Sequence, residues 1–265
     1  MNNFKRNFKQ DNIKPEQKNE NEDVLVGRNP ILEALKSGRG IDKILVAKGE
    51  REGSVLKIIA LAKEKGIPVA DTDRLALNKL SAFSSHQGVA AFVTAKEYST
   101  VEDILALAAA KNEKPFIVIS DGINDPHNLG AIIRTADACG VHGVIIPKRH
   151  NVGMTTAVYS SSAGAAEYVK VAKVSNIAQT IDDLKKKGIW IYGTDLKGDT
   201  LYFDADFNCP CAIVIGGEGE GMGRLNSEKC DYLLKIPMKG KVSSLNASAA
   251  GAVILYEVLK QRLIK

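Results

Sequence analysis

Five apolar runs in the second half of the chain limit its fold more than any other feature. They are KPFIVIS (114–120), GVIIP (143–147), GIWIYGTD (188–195), CAIVIGG (211–217) and YLLKIPM (232–238). A strand with one face in water alternates apolar and polar residues; these barely alternate, so both faces are expected to be covered. A parallel sheet with helices packed on each side does that. The segment LGAIIRTADACG (129–140) falls between the first two runs and has helical apolar spacing. Strand, loop and helix in repetition predict an α/β domain over residues 113–265, preceded by a linker and first helix over 98–112.

The first third carries the same alternation at a smaller scale. GRNPILEALKSG (27–38) predicts a short helix with Asn29 as N-cap, Pro30 at the first helical position and Gly38 after the end. DKILVA, IPVAD and QGVAAFVT are expected strands, and GSVLKIIALAKEKG an expected helix. Residues 23–97 therefore predict a small α/β layer domain of their own. Residues 1–22 are rich in Asn, Lys, Gln and Glu, with too few apolar groups to offset the entropy of ordering. They are expected to be a disordered tail. Its segment Phe4-Lys5-Arg6-Asn7-Phe8-Lys9 offers charge and stacking to RNA, against the plainer alternative of a solvated tail.

Charge narrows the partners. Residues 1–23 hold five basic and five acidic side chains, residues 24–98 hold 12 and 8, and residues 99–265 hold 19 and 18. The net +5 therefore sits mainly in the first folded third, which is compatible with a nucleic-acid-binding face and equally with the few surplus lysines many cytosolic domains carry. There is no run of about 18 apolar residues for a membrane span and no apolar core of an export signal. A cytoplasmic location and no membrane partner are expected. Cys139, Cys209, Cys211 and Cys230 lack paired metal-ligand spacing and neighbouring histidines, so no metal site is expected and free thiols are.

Three loops follow strands at their C-terminal ends, where open α/β sheets bind ligands: DGINDPHNLGAIIRTADACG (121–140), IGGEGEGMG (215–223) and IPMKGKVSSLNASAAG (236–251). The middle one looks like a phosphate cradle at first sight. It lacks the Lys-Ser or Lys-Thr pair of a nucleoside triphosphate loop, and Glu218 and Glu220 would repel a polyphosphate. Asp231 stands too near to serve as the ribose acid of a dinucleotide fold. A glycine loop bearing carboxylates suits a neutral or cationic ligand better.

In this order and spacing the three segments resemble the signature motifs of the SpoU/TrmH (SPOUT) family of RNA ribose 2'-O-methyltransferases. Residues 24–97, with GRNPILEAL and SSHQGVAA, resemble the ribosomal-protein-like substrate-binding domain of its bacterial 23S rRNA guanosine members. The resemblance implies a catalytic domain whose C-terminal segment is threaded into a trefoil knot, a rare departure from unknotted folds. It implies S-adenosylmethionine as cofactor, 23S rRNA as partner, and a homodimer.

By the same resemblance Gly216, Ile236 and Leu245 contact the cofactor largely through main chain, with Gly217 and Met238 as neighbours. Glycine lets a backbone come close to the adenosine, and a sulfonium cation removes the objection to Glu218 and Glu220. Asn128, Arg134, Glu218, Ser244 and Asn246 are implied at the catalytic site. From the sequence alone Asn128 is equally a helix cap, Arg134 a solvated arginine, Glu218 a loop carboxylate, and Ser244 and Asn246 caps of the last helix. A guanidinium holds its proton too tightly to act as a base, so the expected role of Arg134 is a bidentate grip on phosphate. The proton acceptor is then that phosphate, Glu218 or water.

Lys148, Arg149, His150, Lys239 and Lys241 are candidates for flanking the RNA, or plain charged loops; His127 is not expected to be a base. The alternatives for the whole chain are the same chemistry on tRNA or on an antibiotic-related rRNA adenosine, and a non-catalytic RNA-binding assembly protein. A dehydrogenase or NTPase fails on the missing Lys-Ser pair and the misplaced acid.

Overall fold

The computed structural model describes residues 22–81, 85–219 and 221–264. The expected tail through Asn21 with its Phe4 to Lys9 segment, and Glu220, lie outside the described residues.

The N-terminal unit is a mixed four-stranded sheet in the order β1-β4-β2-β3, from β1 (Glu22–Val26), β2 (Ile41–Ala47), β3 (Val69–Thr72) and β4 (Val89–Thr94). Helices α1 (Arg28–Ser37) and α2 (Ser54–Glu64) share a core with one face through Ile31, Leu35, Val55 and Ile58 against Leu25, Ile44, Val46 and Val93. On the other face α3 (Arg74–Leu80) sets Leu77 against Val26, Ala47 and Ala90. Helix α1 starts earlier than the sequence signal: Gly27, not Asn29, is the N-cap, and no side chain caps it. The first amide is satisfied from outside instead, Arg28 N–H donating to Gln87 Oε1 at 3.0 Å. Local cap chemistry is overridden wherever a distant residue supplies the acceptor. Gly38 closes the helix in the left-handed conformation, φ 79°, as expected.

The second unit is a seven-stranded, all-parallel sheet in the order β7-β6-β5-β10-β8-β11-β9. Its strands are β5 (Phe116–Asp121), β6 (Gly143–Pro147), β7 (Lys170–Val174), β8 (Trp190–Thr194), β9 (Thr200–Leu201), β10 (Cys211–Gly216) and β11 (Tyr232–Lys235). Consecutive residues of β10 face opposite cores. Ile213 and Ile215 join α5 (Pro126–Ala138) and α9 (Ala247–Leu263) through Leu129, Ile133, Ile254 and Val258, while Ala212 and Val214 join α4 (Val101–Ala110) and α7 (Ile177–Lys186) through Ile104, Ile181 and Leu184. That double burial is why these strands read as unbroken apolar runs. Two short helices, α6 (Thr156–Ser161) and α8 (Arg224–Lys229), complete the list.

Late segments lie inside early ones. Strand β10 sits between β5 and β8, and after β11 the chain returns so that α9 packs on β10 and α5. Such a return is what the expected threading of the C-terminal segment requires.

The two units are joined by a buried charge cluster. Arg39, just after α1, donates through Nη1 to Glu167 Oε1 (2.7 Å), through Nη2 to Asp23 Oδ2 (3.2 Å) and through Nε to the Thr94 carbonyl (3.0 Å). Its guanidinium also lies 4.7 Å from the centre of the Tyr159 ring. The Arg39 and Glu167 side chains are 7% and 2% exposed. Lys96 donates to the carbonyls of Ala166 and Glu167, Tyr168 Oη to Glu33, and Ser160 Oγ to the Val26 carbonyl. None of this was visible in the sequence, where Glu167 and Arg39 stand 128 residues apart.

Candidate active site

The C-terminal ends of β8, β10 and β11 and the loops that follow them line a cavity of about 820 Å³, and the end of β5 is joined to the glycine loop by hydrogen bonds. Each loop is held by neighbours from the others. Gly217 N–H donates to the Asp121 carbonyl at 2.8 Å, and Gly221 N–H closes the glycine loop on the Gly217 carbonyl at 3.1 Å. These contacts demand glycine. A Cβ on Gly217 would stand 2.1 Å from the Gly122 carbonyl oxygen, and one on Gly216 would stand 2.5 Å from backbone atoms of Gly221 and Met222. Gly219 and Gly221, at φ 85° and 71°, occupy backbone conformations that side chains disfavour.

At the mouth of the cavity three side chains meet, from the first turn of α5, the glycine loop and the N-cap of α9. Asn246 Nδ2 donates to Asn128 Oδ1 at 2.9 Å and to Glu218 Oε1, while Asn128 Nδ2 donates to the same Oε1 at 3.0 Å. Among the described residues Glu218 Oε2 has no hydrogen-bond partner, so one carboxylate oxygen is pinned and the other is open. Asn246 does two jobs: its Oδ1 accepts from Ser248 N–H and Ala249 N–H, capping α9. Asn128 caps nothing. The N-cap of α5 is Asp125, which accepts from His127 N–H, with Pro126 in the first turn. Asn128 is therefore free to turn inward, where it is 6% exposed.

The other candidate residues divide. Gly216, Gly217, Ile236, Met238, Ser244, Leu245 and Asn246 line the cavity together with Glu218. Arg134 does not join them. It lies on the exposed side of α5, and among the described residues its guanidinium has no hydrogen bond or ion pair. Six residues along a helix place it about 9 Å from Asn128 along the axis and about 120° around it. Lys239 and Lys241 are exposed on the loop after β11, and Lys148, Arg149 and His150 on the loop after β6; His127 is exposed beside Asn128.

The loop after β8 was missed by the sequence reading. Thr194, Asp195, Leu196 and Lys197 form one wall of the cavity, and Thr194 Oγ1 accepts from Gly216 N–H at 3.4 Å. The signal was present, because they follow a buried parallel strand at its C-terminal end like the three loops that were singled out. Among the described residues no group of three or more His, Cys, Asp or Glu is placed to hold a metal ion, and no helix is long and apolar enough to cross a membrane.

The sequence profile of the SpoU rRNA methylase family matches residues 115–256, and that of the RNA 2'-O ribose methyltransferase substrate-binding domain matches residues 24–99. YacO of Bacillus subtilis (strain 168), assigned to the TrmH family of tRNA/rRNA methyltransferases, is 47% identical over 240 residues, covering 91% of this chain and 96% of its own. A protein of Staphylococcus aureus (strain MSSA476) assigned to the same family is 45% identical over 239 residues, covering 90% and 96%. Among solved structures, the SpoU methyltransferase AviRb from Streptomyces viridochromogenes in complex with AdoMet superposes with a TM-score of 0.76 at 27% identity, over 92% of each chain.

The residues present fit S-adenosylmethionine. The cavity is large, the glycines at its floor leave main-chain groups within reach, Ile236, Met238 and Leu245 supply apolar contact, and the charged residues described in its wall are two carboxylates, Glu218 and Asp195, against one ammonium, Lys197. A cationic ligand is favoured there over an anionic one. With both profiles matched in order and the fold shared with AviRb over 92% of each chain, the chain belongs to the SpoU family of RNA methyltransferases, which use S-adenosylmethionine, and its N-terminal unit matches the substrate-binding domain of RNA 2'-O ribose methyltransferases.

Proposed function

We propose that the enzyme methylates a ribose 2'-hydroxyl, and that its substrate is a guanosine of 23S rRNA. The meeting of Asn128, Glu218 and Asn246 at the mouth of the glycine-floored cavity carries this reading. When bound, S-adenosylmethionine supplies an electrophilic methyl carbon on a sulfonium. The chain's own residues would then orient the hydroxyl and remove its proton. Two amides fix Glu218 Oε1, which leaves Oε2 aimed by its partner oxygen and able to accept a proton, and fixed geometry of this kind favours in-line attack. Ser244, which lines the same cavity, would bond the ribose or its phosphate.

The N-terminal domain supports this choice of RNA. The TrmH/SpoU tRNA modifying enzyme from Aquifex aeolicus superposes on only 61% of this chain, with a TM-score of 0.52, whereas AviRb spans 92%. The extra length of this chain beyond that match, together with a substrate-binding domain over residues 24–99, supports a larger RNA target. In a strain lacking this gene, 23S rRNA should lose one 2'-O-methylguanosine and tRNA should be unchanged; loss of a tRNA mark instead would move the substrate. The enzyme acts in the cytoplasm as a homodimer, a reading supported by exposed Tyr256, Leu263 and Ile264 on and just after α9. Ultracentrifugation showing only monomer at micromolar concentration would overturn the dimer.

Two substitutions test the site. Gly217→Ala forces backbone apart at the cavity floor, so binding of S-adenosylhomocysteine should weaken by about tenfold or more while the far-ultraviolet spectrum is retained. For Arg134 we propose the bidentate phosphate grip, offered to RNA from the exposed side of α5. Arg134→Lys keeps the charge and loses the fork, so kcat/KM should fall by roughly tenfold with cofactor affinity unchanged. Near-normal kcat/KM in that variant would remove the bidentate role.

A further inference from the structure

We infer that Asp121, a residue outside the implied catalytic set, is the positioning residue that holds the glycine loop in its working shape; this rests on the methyl-transfer reading above. Asp121 is the last residue of β5 and grips both ends of the loop. Its carbonyl accepts from Gly217 N–H at 2.8 Å, and its Oδ2 accepts from Gly223 N–H at 2.8 Å and from Asn226 Nδ2 at 2.8 Å. Between those anchors the backbone has little internal support. Gly219 and Gly221 are at positive φ, and among the described residues the one cross-loop bond joins Gly221 N–H to the Gly217 carbonyl.

The anchoring matters because of what lies between the grips. Glu218 is the residue immediately after Gly217, and its Oε1 must reach Asn128 and Asn246. Gly216, Gly217, Gly221 and Met222 form part of the cavity wall. Glycine-rich backbone samples many conformations, so a loop of this composition keeps one shape only if outside partners impose it. The main-chain half of the grip belongs to the sheet register and survives any substitution. The carboxylate half is specific to Asp121 and fixes where the loop turns back into α8. Asp121 would thereby set both the cofactor wall and the direction of Glu218 without touching either reacting partner.

The test uses the full-length protein. Asp121→Ala removes the acceptor for two donors, and its dissociation constant for S-adenosylhomocysteine, measured by calorimetry well below the melting temperature, should rise by about tenfold or more. Asp121→Asn keeps an oxygen that accepts both bonds, and should restore affinity to within about threefold of wild type. Turnover should fall in Asp121→Ala, and that fall should shrink in a Glu218→Gln background, because one substitution acts through the other. If Asp121→Ala does not fold, Asn226→Ala removes one of the two donors and should give a smaller weakening in the same direction. Unchanged affinity in folded Asp121→Ala, or in Asn226→Ala where that variant is the one measured, overturns the inference, as does an equal loss of turnover with and without Glu218. Failure of the wild type itself to bind S-adenosylhomocysteine would instead overturn the methyl-transfer reading.

Discussion

Replacing Asn246 with alanine is expected to slow methyl transfer by roughly a thousandfold, the scale seen when a preorganised polar group is removed from a catalytic site. Among the described residues its Nδ2 group is the one donor that touches both Asn128 and Glu218, so its loss leaves Glu218 with a single amide to orient it. The same change removes the N-cap of α9 and should cost about 1 kcal/mol of stability. Asn246→Asp separates the two effects. A carboxylate still accepts from Ser248 and Ala249 N–H, so the helix start survives; its other oxygen then faces Glu218 Oε1 and Asn128 Oδ1, both acceptors. Single-turnover rates should collapse in both variants, while thermal unfolding should report the capping loss only in the alanine variant. An alanine variant with near-normal single-turnover rates would show that the triad does not organise the reaction.

Glu167→Ala is expected to be the most destabilising single change, at about 3–5 kcal/mol, because it strands a buried arginine. Arg39 is 7% exposed, and without Glu167 it keeps only Asp23, the Thr94 carbonyl and the Tyr159 ring. For a chain of this size the melting temperature should fall by roughly 10 °C. The double substitution Arg39→Met with Glu167→Leu should recover most of the loss, since removing both charges removes the desolvation problem with its remedy. Lys36, whose ion pair with Glu33 is an i,i+3 contact with the lysine 56% exposed, provides the contrast: Lys36→Ala should change stability by less than about 0.5 kcal/mol. Differential scanning calorimetry distinguishes these outcomes. If Glu167→Ala melts within about 2 °C of wild type, the cluster does not hold the two units together.

Local patterns were enough for much of the architecture. The runs around Ile117, Ile145, Ile191 and Ile213 announce strands buried on both faces, because side chains that alternate across a sheet are all apolar only when both sides are covered. Gly38 marked a helix end, since only a residue without a Cβ takes its conformation freely. The three ligand-side loops were legible for a similar reason: glycine and polar residues after a buried strand leave few other uses. Those signals need only a few neighbouring residues.

The partnerships depended on tertiary structure. Asn246 reaches Asn128 across 118 residues and Asn128 reaches Glu218 across 90, and nothing local distinguishes a capping asparagine from one turned into a cavity. The fold decided that Asp125 caps α5 in place of Asn128, that Gln87 serves the start of α1 in place of Asn29, that Arg134 stays outside the triad, and that Thr194 to Lys197 enter the wall. Amino-acid order by itself determined which segments must be buried and where the backbone must bend, because burial and turning act over a few residues. Which hydrogen-bonding groups face each other followed only from strand order and register, which bring distant residues within 3 Å or keep them apart.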